Sequence, residues 1–220
     1  MDLAPLLLSF EIASVAIVVA AVLGIAIAAF LTRERLPGRE LLDALVTAPT
    51  VLPPTVLGYY LLVAIGRRSF IGHAFEQLTG SSIVFTKTGA ICAATLGALP
   101  IVIKSGRAAL EGVDVTLVRA ARTLGASPLR AFFTVRLPLA ARGIVAALML
   151  AFARSLGDFG VTLMVAGDIP GETQTASLAI YDAIQSHRET EALGMVLVLT
   201  AVAVGILYTV NRLTARRDAV

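Results

Sequence analysis

Long runs of apolar residues, separated by short polar stretches, dominate this chain of 220 residues. About 20 apolar residues are needed to cross a bilayer as an α-helix. On that basis we predict five spans, at 6–31, 41–65, 88–103, 143–166 and 192–213. The chain is therefore expected to be a single domain over residues 1–220, an all-α polytopic membrane protein.

Composition supports a membrane location. The chain is 57% hydrophobic, only 15% charged, and has a mean hydropathy of +0.87, far above that of a soluble domain. Its positive charges lie in loops that flank the spans, so membrane orientation explains the pI of about 9.4 better than nucleic-acid binding does. The single cysteine, Cys92, lies in an apolar run and offers no intramolecular disulfide. No positively charged stretch precedes the first span, which is expected to remain as an anchor.

Lysine and arginine counts predict the orientation. With the N-terminus outside, thirteen of these residues fall on the inner side and four on the outer side, with Arg154 inside a span. Seven of the thirteen lie in the loop 104–142. Cytoplasmic loops carry the excess of positive charge, so this loop and the C-terminus are predicted to be cytoplasmic.

Two outer segments have helical patterns but are too short to cross. An amphipathic stretch at 70–78 is predicted to lie along the outer surface. The stretch 175–185 is apolar at helical spacing and is expected to be a re-entrant or interfacial helix that leads into the last span.

Three prolines interrupt the second span. Pro49, Pro53 and Pro54 fall within six residues, and each removes a backbone donor and clashes with the preceding turn. We therefore predict a kinked or broken helix. The break can serve as a hinge that lines a transport pathway, or as a structural kink that packs against neighbouring helices. Sequence leaves both possibilities open.

The fourth span contains two charges, Arg154 and Asp158, at a spacing that places both on one helix face. Charges inside a membrane are costly and are expected to pair or to face water. Arg154 can therefore be an electropositive point along a route for anions. The alternative, which we favour from sequence, is a static pair near the outer end of the pore or a packing lock.

The cytoplasmic loop contains a segment, 119–138, that predicts two short helical turns with a break. Thr116 can cap the first turn, and Gly125 suits the left-handed position that ends a helix. Ser127 can then cap a second turn, with Pro128 at its first position. Arginines on one side and small residues on the other suit a rigid element that docks on a partner protein.

The end of this segment is predicted at Leu137 and Pro138, before the next apolar span. In spacing, the segment resembles the "EAA" coupling loop of permease subunits of bacterial ABC importers. The family pattern has Glu-Ala-Ala, then a glycine, then Ile-x-Leu-Pro, and the matching residues here are Ala120, Ala121, Gly125, Val135, Leu137 and Pro138. Arg119 stands where the family has glutamate, so this chain departs from the family pattern at that position and has no carboxylate there.

Two further stretches, 48–69 and 151–185, look like the molybdate ABC transporter permease family. The resemblance implies the transmembrane-domain fold of type I ABC importers in a bacterial inner membrane, surrounded by lipid. It also implies a homodimer of this chain, two cytoplasmic ABC ATPase subunits and an extracytoplasmic oxyanion-binding protein. Residues 119–138 would then transmit motion from the ATPase.

No catalytic or metal-binding pattern stands out in the sequence. There is no Gly-x-x-x-x-Gly-Lys-Ser/Thr loop, so ATP and Mg²⁺ are expected on a partner chain and this chain is not expected to be an enzyme. His73 and His187 lie far apart without ligand spacing, so no metal site is predicted.

The substrate could also be tungstate, sulfate or thiosulfate, because molybdate, tungstate and sulfate share a tetrahedral dianionic form. A more distant alternative is a secondary transporter driven by an ion gradient. It would predict inverted repeats and more intramembrane carboxylates, and neither is found.

Overall fold

The structure, a computed structural model, describes residues 3–32 and 37–215, and within these ranges all regular structure is helical. The helices are α1 (Ala4–Leu31), α2 (Arg39–Val51), α3 (Pro54–Ile65), α4 (Phe70–Thr79), α5 (Lys87–Glu111), α6 (Val115–Thr123), α7 (Pro128–Ala131), α8 (Leu137–Leu156), α9 (Gly160–Ala166), α10 (Ala176–Gln185) and α11 (Glu189–Ala215). A π-helical turn, Phe132–Arg136, joins α7 to α8.

The predicted number of spans is confirmed within the described ranges, with one qualification. Four helical stretches are long and apolar enough to cross a membrane: Ala4–Leu31, Lys87–Glu111, Pro128–Leu156 and Glu189–Thr214. The fifth candidate is the pair α2 and α3, which is bent by 114° across the break at Leu52 and Pro53. The predicted disruption of the second span is therefore confirmed as a sharp break.

Two helices have bounds that differ from those of the predicted spans. The third span was expected to end at residue 103, but α5 continues to Glu111. Polar residues in its last turns, which sequence assigned to a loop, form ion pairs: Arg107 bonds both Asp43 and Glu111 at 2.9 Å. The fourth span was expected to be continuous over 143–166, but α8 ends at Leu156 and α9 begins only at Gly160.

Pro138 does not end the loop segment as predicted. Helical structure instead runs from Pro128 through Leu156. The π-helical turn lies immediately before Leu137 and Pro138, and its wider hydrogen-bond pattern accommodates a residue that has no backbone donor. The helical stretch that contains the candidate span therefore begins within the segment that sequence treated as a separate cytoplasmic unit.

Small residues form the centre of the helix bundle. α5 packs along both α1 and α8, and alanines of these helices, including Ala13, Ala16, Ala94, Ala98 and Ala151, are almost completely buried. Their small side chains allow the helix backbones to approach closely, as is common between helices in membranes. The outward faces of α1, α2 and α11 instead expose large apolar residues, which suits contact with lipid.

The two short stretches with helical patterns are confirmed as helices, α4 and α10, and their placement relative to the membrane stays a prediction. Ser69 caps α4 by accepting the Gly72 NH at 2.9 Å. The first NH of α10, that of Ala176, donates to the Ser9 hydroxyl at 2.7 Å, which anchors α10 against α1.

Arg33, Arg35, Arg216 and Arg217, which contributed to the charge count, lie outside the described residues. The orientation of the chain in the membrane stays a prediction.

Candidate functional site

The predicted coupling segment forms a helix–turn–helix at one end of the bundle. We call this the arginine-rich end and define it by Glu111 and residues 114–136. α6 contains no buried residue, and Arg119, Ala120, Gly125, Ser127 and Pro128 are all exposed, with Ala121 half-buried. Leu124, at the tip, is 89% exposed. An exposed apolar tip flanked by arginines is suited to a groove on another protein.

The turn chemistry of this segment matches the prediction at two positions and corrects it at a third. Gly125 has φ +89°, the left-handed conformation expected there. Ser127 caps α7 by accepting the Arg130 NH at 3.2 Å. The cap of α6, however, is Asp114 and not Thr116: its carboxylate accepts the Thr116 NH at 2.8 Å. Hydrogen bonds from the Thr116 side chain and backbone lower the pKa of Asp114 below its usual value.

Arg136, which sequence analysis did not single out, ties this segment to two spans. Its Nε donates to the Leu110 carbonyl at 3.1 Å, and its guanidinium donates to the Thr32 hydroxyl at 3.4 Å. Phe132 packs beside it against the apolar cluster formed by α1, α5 and α8. No feature of the sequence distinguishes Arg136 from the other arginines of the loop 104–142, because a charge count treats them alike.

A charge network that includes Glu111 of the arginine-rich end joins α2 to α5. Arg107 donates to Asp43 and Glu111, and Arg39 also contacts Glu111 at 2.7 Å. Arg107 has only 20% of its side chain exposed, so its ion pairs are less screened by water than those of typical surface pairs. This network connects the first half of the broken span to the bundle.

The breaks in α2–α3 and in α8–α9 lie against each other. A Cβ added to Gly160, the first residue of α9, would come within 2.6 Å of the Pro54 Cβ, the first residue of α3. One turn later, a Cβ on Gly58 would come within 2.7 Å of Met164. Gly160 and Gly58 thus permit α3 and α9 to pack in close contact. α3 follows the break after α2, and α9 follows the break after α8.

Arg154 and Asp158 meet at this junction. Asp158 lies beyond the end of α8, in the break that precedes α9, so the two residues do not share one continuous helix as predicted. Their ion pair nevertheless forms, with the guanidinium 3.4 Å from Asp158 Oδ1. Thr162 was missed by the sequence analysis, although its NH and hydroxyl both donate to Asp158 Oδ2, at 3.0 and 2.7 Å.

A cavity of about 600 Å³ opens at the junction of the two breaks. Of the five residues proposed from sequence for a pathway or hinge, it brings together Pro54, Arg154 and Asp158. Pro53 is the residue before Pro54 and is not itself part of the lining. Pro49 lies inside α2 and does not line the cavity either. The rest of the lining consists of Thr55, Gly157, Phe159, Gly160, Leu163 and Met164.

Within the described ranges, no group of three or more histidine, cysteine or acidic residues could hold a metal ion. His73 contacts Gln77 at 3.0 Å within α4, and Cys92 packs beside the apolar cluster of α3, α5 and α9.

Comparison with known proteins agrees with this architecture. Residues 7–218 match the family described as "Binding-protein-dependent transport system inner membrane component". The chain belongs to this family. It is accordingly a multi-pass inner-membrane component of a transport system.

Two individual relatives show which transport proteins the chain resembles in sequence. The chain is 47% identical over 180 residues to the molybdenum transport system permease protein ModB of Escherichia coli (strain K12), covering 82% of this chain and 79% of the relative. It is 34% identical over 195 residues to the sulfate transport system permease protein CysT of Salmonella typhimurium, covering 89% of this chain and 70% of that relative.

Solved structures share the fold at low sequence identity. A chain of the inward-facing MetNI methionine ABC transporter aligns with a TM-score of 0.70 at 18% identity, covering 94% of this chain and 92% of that chain. A chain of a bacterial alginate ABC transporter in complex with its periplasmic protein aligns with a TM-score of 0.74 at 14% identity, covering 97% and 78%. The fold is that of the transmembrane domain of type I ABC importers.

Proposed function

We propose that this chain is the permease subunit of an ATP-driven oxyanion importer whose substrate is molybdate. The observation that carries this proposal is the 47% identity to a molybdenum permease over most of the chain. The lower identity to a sulfate permease makes sulfate the second candidate, since both anions are tetrahedral and doubly negative.

The partners follow from this assignment. Two copies of the chain would enclose the pathway, because the few spans of one copy leave large apolar faces exposed. Two cytoplasmic ABC ATPase subunits would bind ATP and Mg²⁺, since this sequence contains no phosphate-binding loop for either. An extracytoplasmic binding protein would deliver the oxyanion, and lipid would cover the remaining apolar surface.

Residues 119–138 would dock on the ATPase. Their exposure, the apolar tip at Leu124 and the left-handed turn at Gly125 support this role. The link from Arg136 to Leu110 and Thr32 offers a route by which movement of the segment reaches α5 and α1. This role requires the arginine-rich end to be cytoplasmic and the N-terminus to lie outside, as the charge distribution predicts.

The break between α2 and α3 would act as a hinge. Pro53 and Pro54 interrupt the backbone hydrogen bonds at the bend of 114°, and Pro49 weakens the last turns of α2. Movement of α2 would then be communicated to α9, which packs against α3.

Uptake in vesicles tests the proposal. This chain, its co-purifying ATPase and the binding protein are reconstituted together, and uptake of molybdate, tungstate and sulfate is compared with and without ATP. We expect molybdate uptake that requires all three components. Uptake of sulfate alone would favour the second candidate, and uptake without ATP or binding protein would contradict the importer assignment.

A further inference from the structure

The hydrogen bonds of the Arg154–Asp158 pair are unequal. Asp158 Oδ2 accepts two short bonds from Thr162, at 3.0 and 2.7 Å, whereas the contact of Oδ1 with Arg154 is long, at 3.4 Å. Asp158 is therefore held in place by α9, and the weakest of its bonds is the one to Arg154.

The burial of the two side chains is equally unequal. The side chain of Asp158 is 2% exposed, whereas that of Arg154 is 43% exposed. The exposed part of Arg154 lines the cavity of about 600 Å³ at the helix breaks. Guanidinium NH groups that Asp158 does not occupy are consequently accessible from this cavity, because arginine has five donors and the described contacts use one.

The pair lies within the helix bundle, beside the middle part of α5. Ser155 donates to the carbonyl of Ala94, and the nearest heavy atom to a Cβ built on Gly97 is Asp158 Oδ1, at 3.9 Å. Gly97 is ten residues from Lys87, where α5 begins, which corresponds to about 15 Å along the helix axis. The whole of α5, 25 residues, is about 37 Å long. The charge pair thus lies beside the middle part of a helix that is long enough to cross a membrane, where an ionisable group carries a high cost.

The cavity also has room for a hydrated ion. A water molecule occupies roughly 30 Å³ in the liquid, so a volume of about 600 Å³ can hold a small oxyanion together with several waters. Besides Arg154, the lining includes the polar residue Thr55, at the start of α3.

We propose that Arg154 is a transient binding site for the transported oxyanion, a tetrahedral dianion that takes the guanidinium from Asp158 as it passes the two helix breaks. This inference rests on the proposed function. The planar guanidinium can donate two parallel hydrogen bonds to an oxyanion. The single long contact of Arg154 with Asp158 leaves enough NH groups for both bonds. Asp158 remains bonded to Thr162 and recovers the guanidinium when the anion leaves, so the site is neutral overall when it is empty.

Reconstituted vesicles with the ATPase and binding protein test this site through two variants, Arg154→Lys and the double variant Arg154→Gln/Asp158→Asn. The double variant is decisive because it leaves no unpaired carboxylate, and the amide oxygen introduced at position 158 can still accept a bond from Thr162. We expect molybdate uptake by the double variant to fall by about tenfold or more, the value of a charged hydrogen bond. The melting temperature and the yield of the assembled complex should stay close to those of the wild type.

Wild-type uptake by the double variant would overturn the site, since it would mean that the pair is only structural. If the double variant does not assemble, Arg154→Lys decides, because it retains the charge and loses the paired donors. Reduced uptake at an unchanged melting temperature supports the site, and unchanged uptake overturns it. Failure of the proposed function is separate: the wild-type complex would then show no ATP-dependent oxyanion uptake.

Discussion

Gly160 lies so close to Pro54 that a Cβ at position 160 would come within 2.6 Å of the Pro54 Cβ. This contact places the start of α9 against the start of α3, so that two interrupted spans meet at their breaks. The cavity that contains Arg154 opens at the same place. The contact between the two breaks therefore contributes both to the packing of α3 against α9 and to the wall of the cavity.

Gly160→Ala should disturb this junction. The added methyl group meets a proline ring that cannot rotate away, so we expect a loss of about 1–3 kcal/mol in the free energy of unfolding, typical of overpacking. Molybdate uptake should fall as well. Gly205→Ala in α11 is the matched control, because nothing lies within 4 Å of its Cβ position. Thermal unfolding in detergent measures both, and equal melting temperatures of the two variants would contradict the close contact.

Gly125→Val should weaken coupling without displacing any neighbour. Gly125 has φ +89° and open space around its Cβ position, so the cost is conformational, about 1–2 kcal/mol for a side chain in the left-handed region. We expect a lower ratio of molybdate transported to ATP hydrolysed. Gly125→Asn provides the comparison because asparagine tolerates this conformation, and its ratio should remain near that of the wild type. A wild-type ratio for the valine variant would argue against the coupling role.

The cap of α6 should depend on pH. The bonds from Thr116 lower the pKa of Asp114 in the folded state, so the stabilisation by this carboxylate is present above the unfolded-state pKa of about 3.9. It is lost as the pH falls through the lower, folded-state pKa. Amide hydrogen exchange in residues 115–123 should therefore be slower in the wild type than in Asp114→Ala at neutral pH, and this difference should shrink below about pH 4.

Asp114→Asn serves as the control for this prediction, because it keeps an acceptor and does not titrate. A difference between the wild type and Asp114→Ala that persists at low pH would assign the effect to the oxygen acceptor and not to its charge.

The network that joins α2 to α5 should depend on Arg107 more than on Lys104. Arg107 bonds two carboxylates at 2.9 Å and is 20% exposed, whereas Lys104 lies 3.8 Å from Asp43 and is 50% exposed. We expect Arg107→Gln to lower the free energy of unfolding by about 1–2 kcal/mol and Lys104→Gln by less than about 0.5 kcal/mol. Equilibrium unfolding in mixed micelles measures the two values. Similar losses would indicate that the network acts through total charge and not through the geometry of Arg107.

Local features of this protein were predictable from sequence because they depend on neighbours along the chain. Apolar runs of sufficient length must form helices in a bilayer, since every backbone polar group needs a partner there. The break at Pro53 and Pro54 follows from missing donors, and the turn at Gly125 with the cap at Ser127 follows from the side chains themselves. Even here, Asp114 and Thr116 were exchanged as caps, because both types suit the position and lie two residues apart.

Tertiary structure decided what lies between distant segments. The last turns of α5 form ion pairs with Asp43 and Arg39 of α2, which are distant in the chain, and the helix around Pro138 contains a π-turn that no local sequence pattern predicted. Sequence placed Arg154 and Asp158 near each other, but the depth of the pair, the bonds from Thr162 and the approach of Pro54 come from the packing of α3, α5 and α9. A residue's spacing determines its helix face, whereas its depth and partners depend on where the other helices end, and that is a property of the assembled bundle.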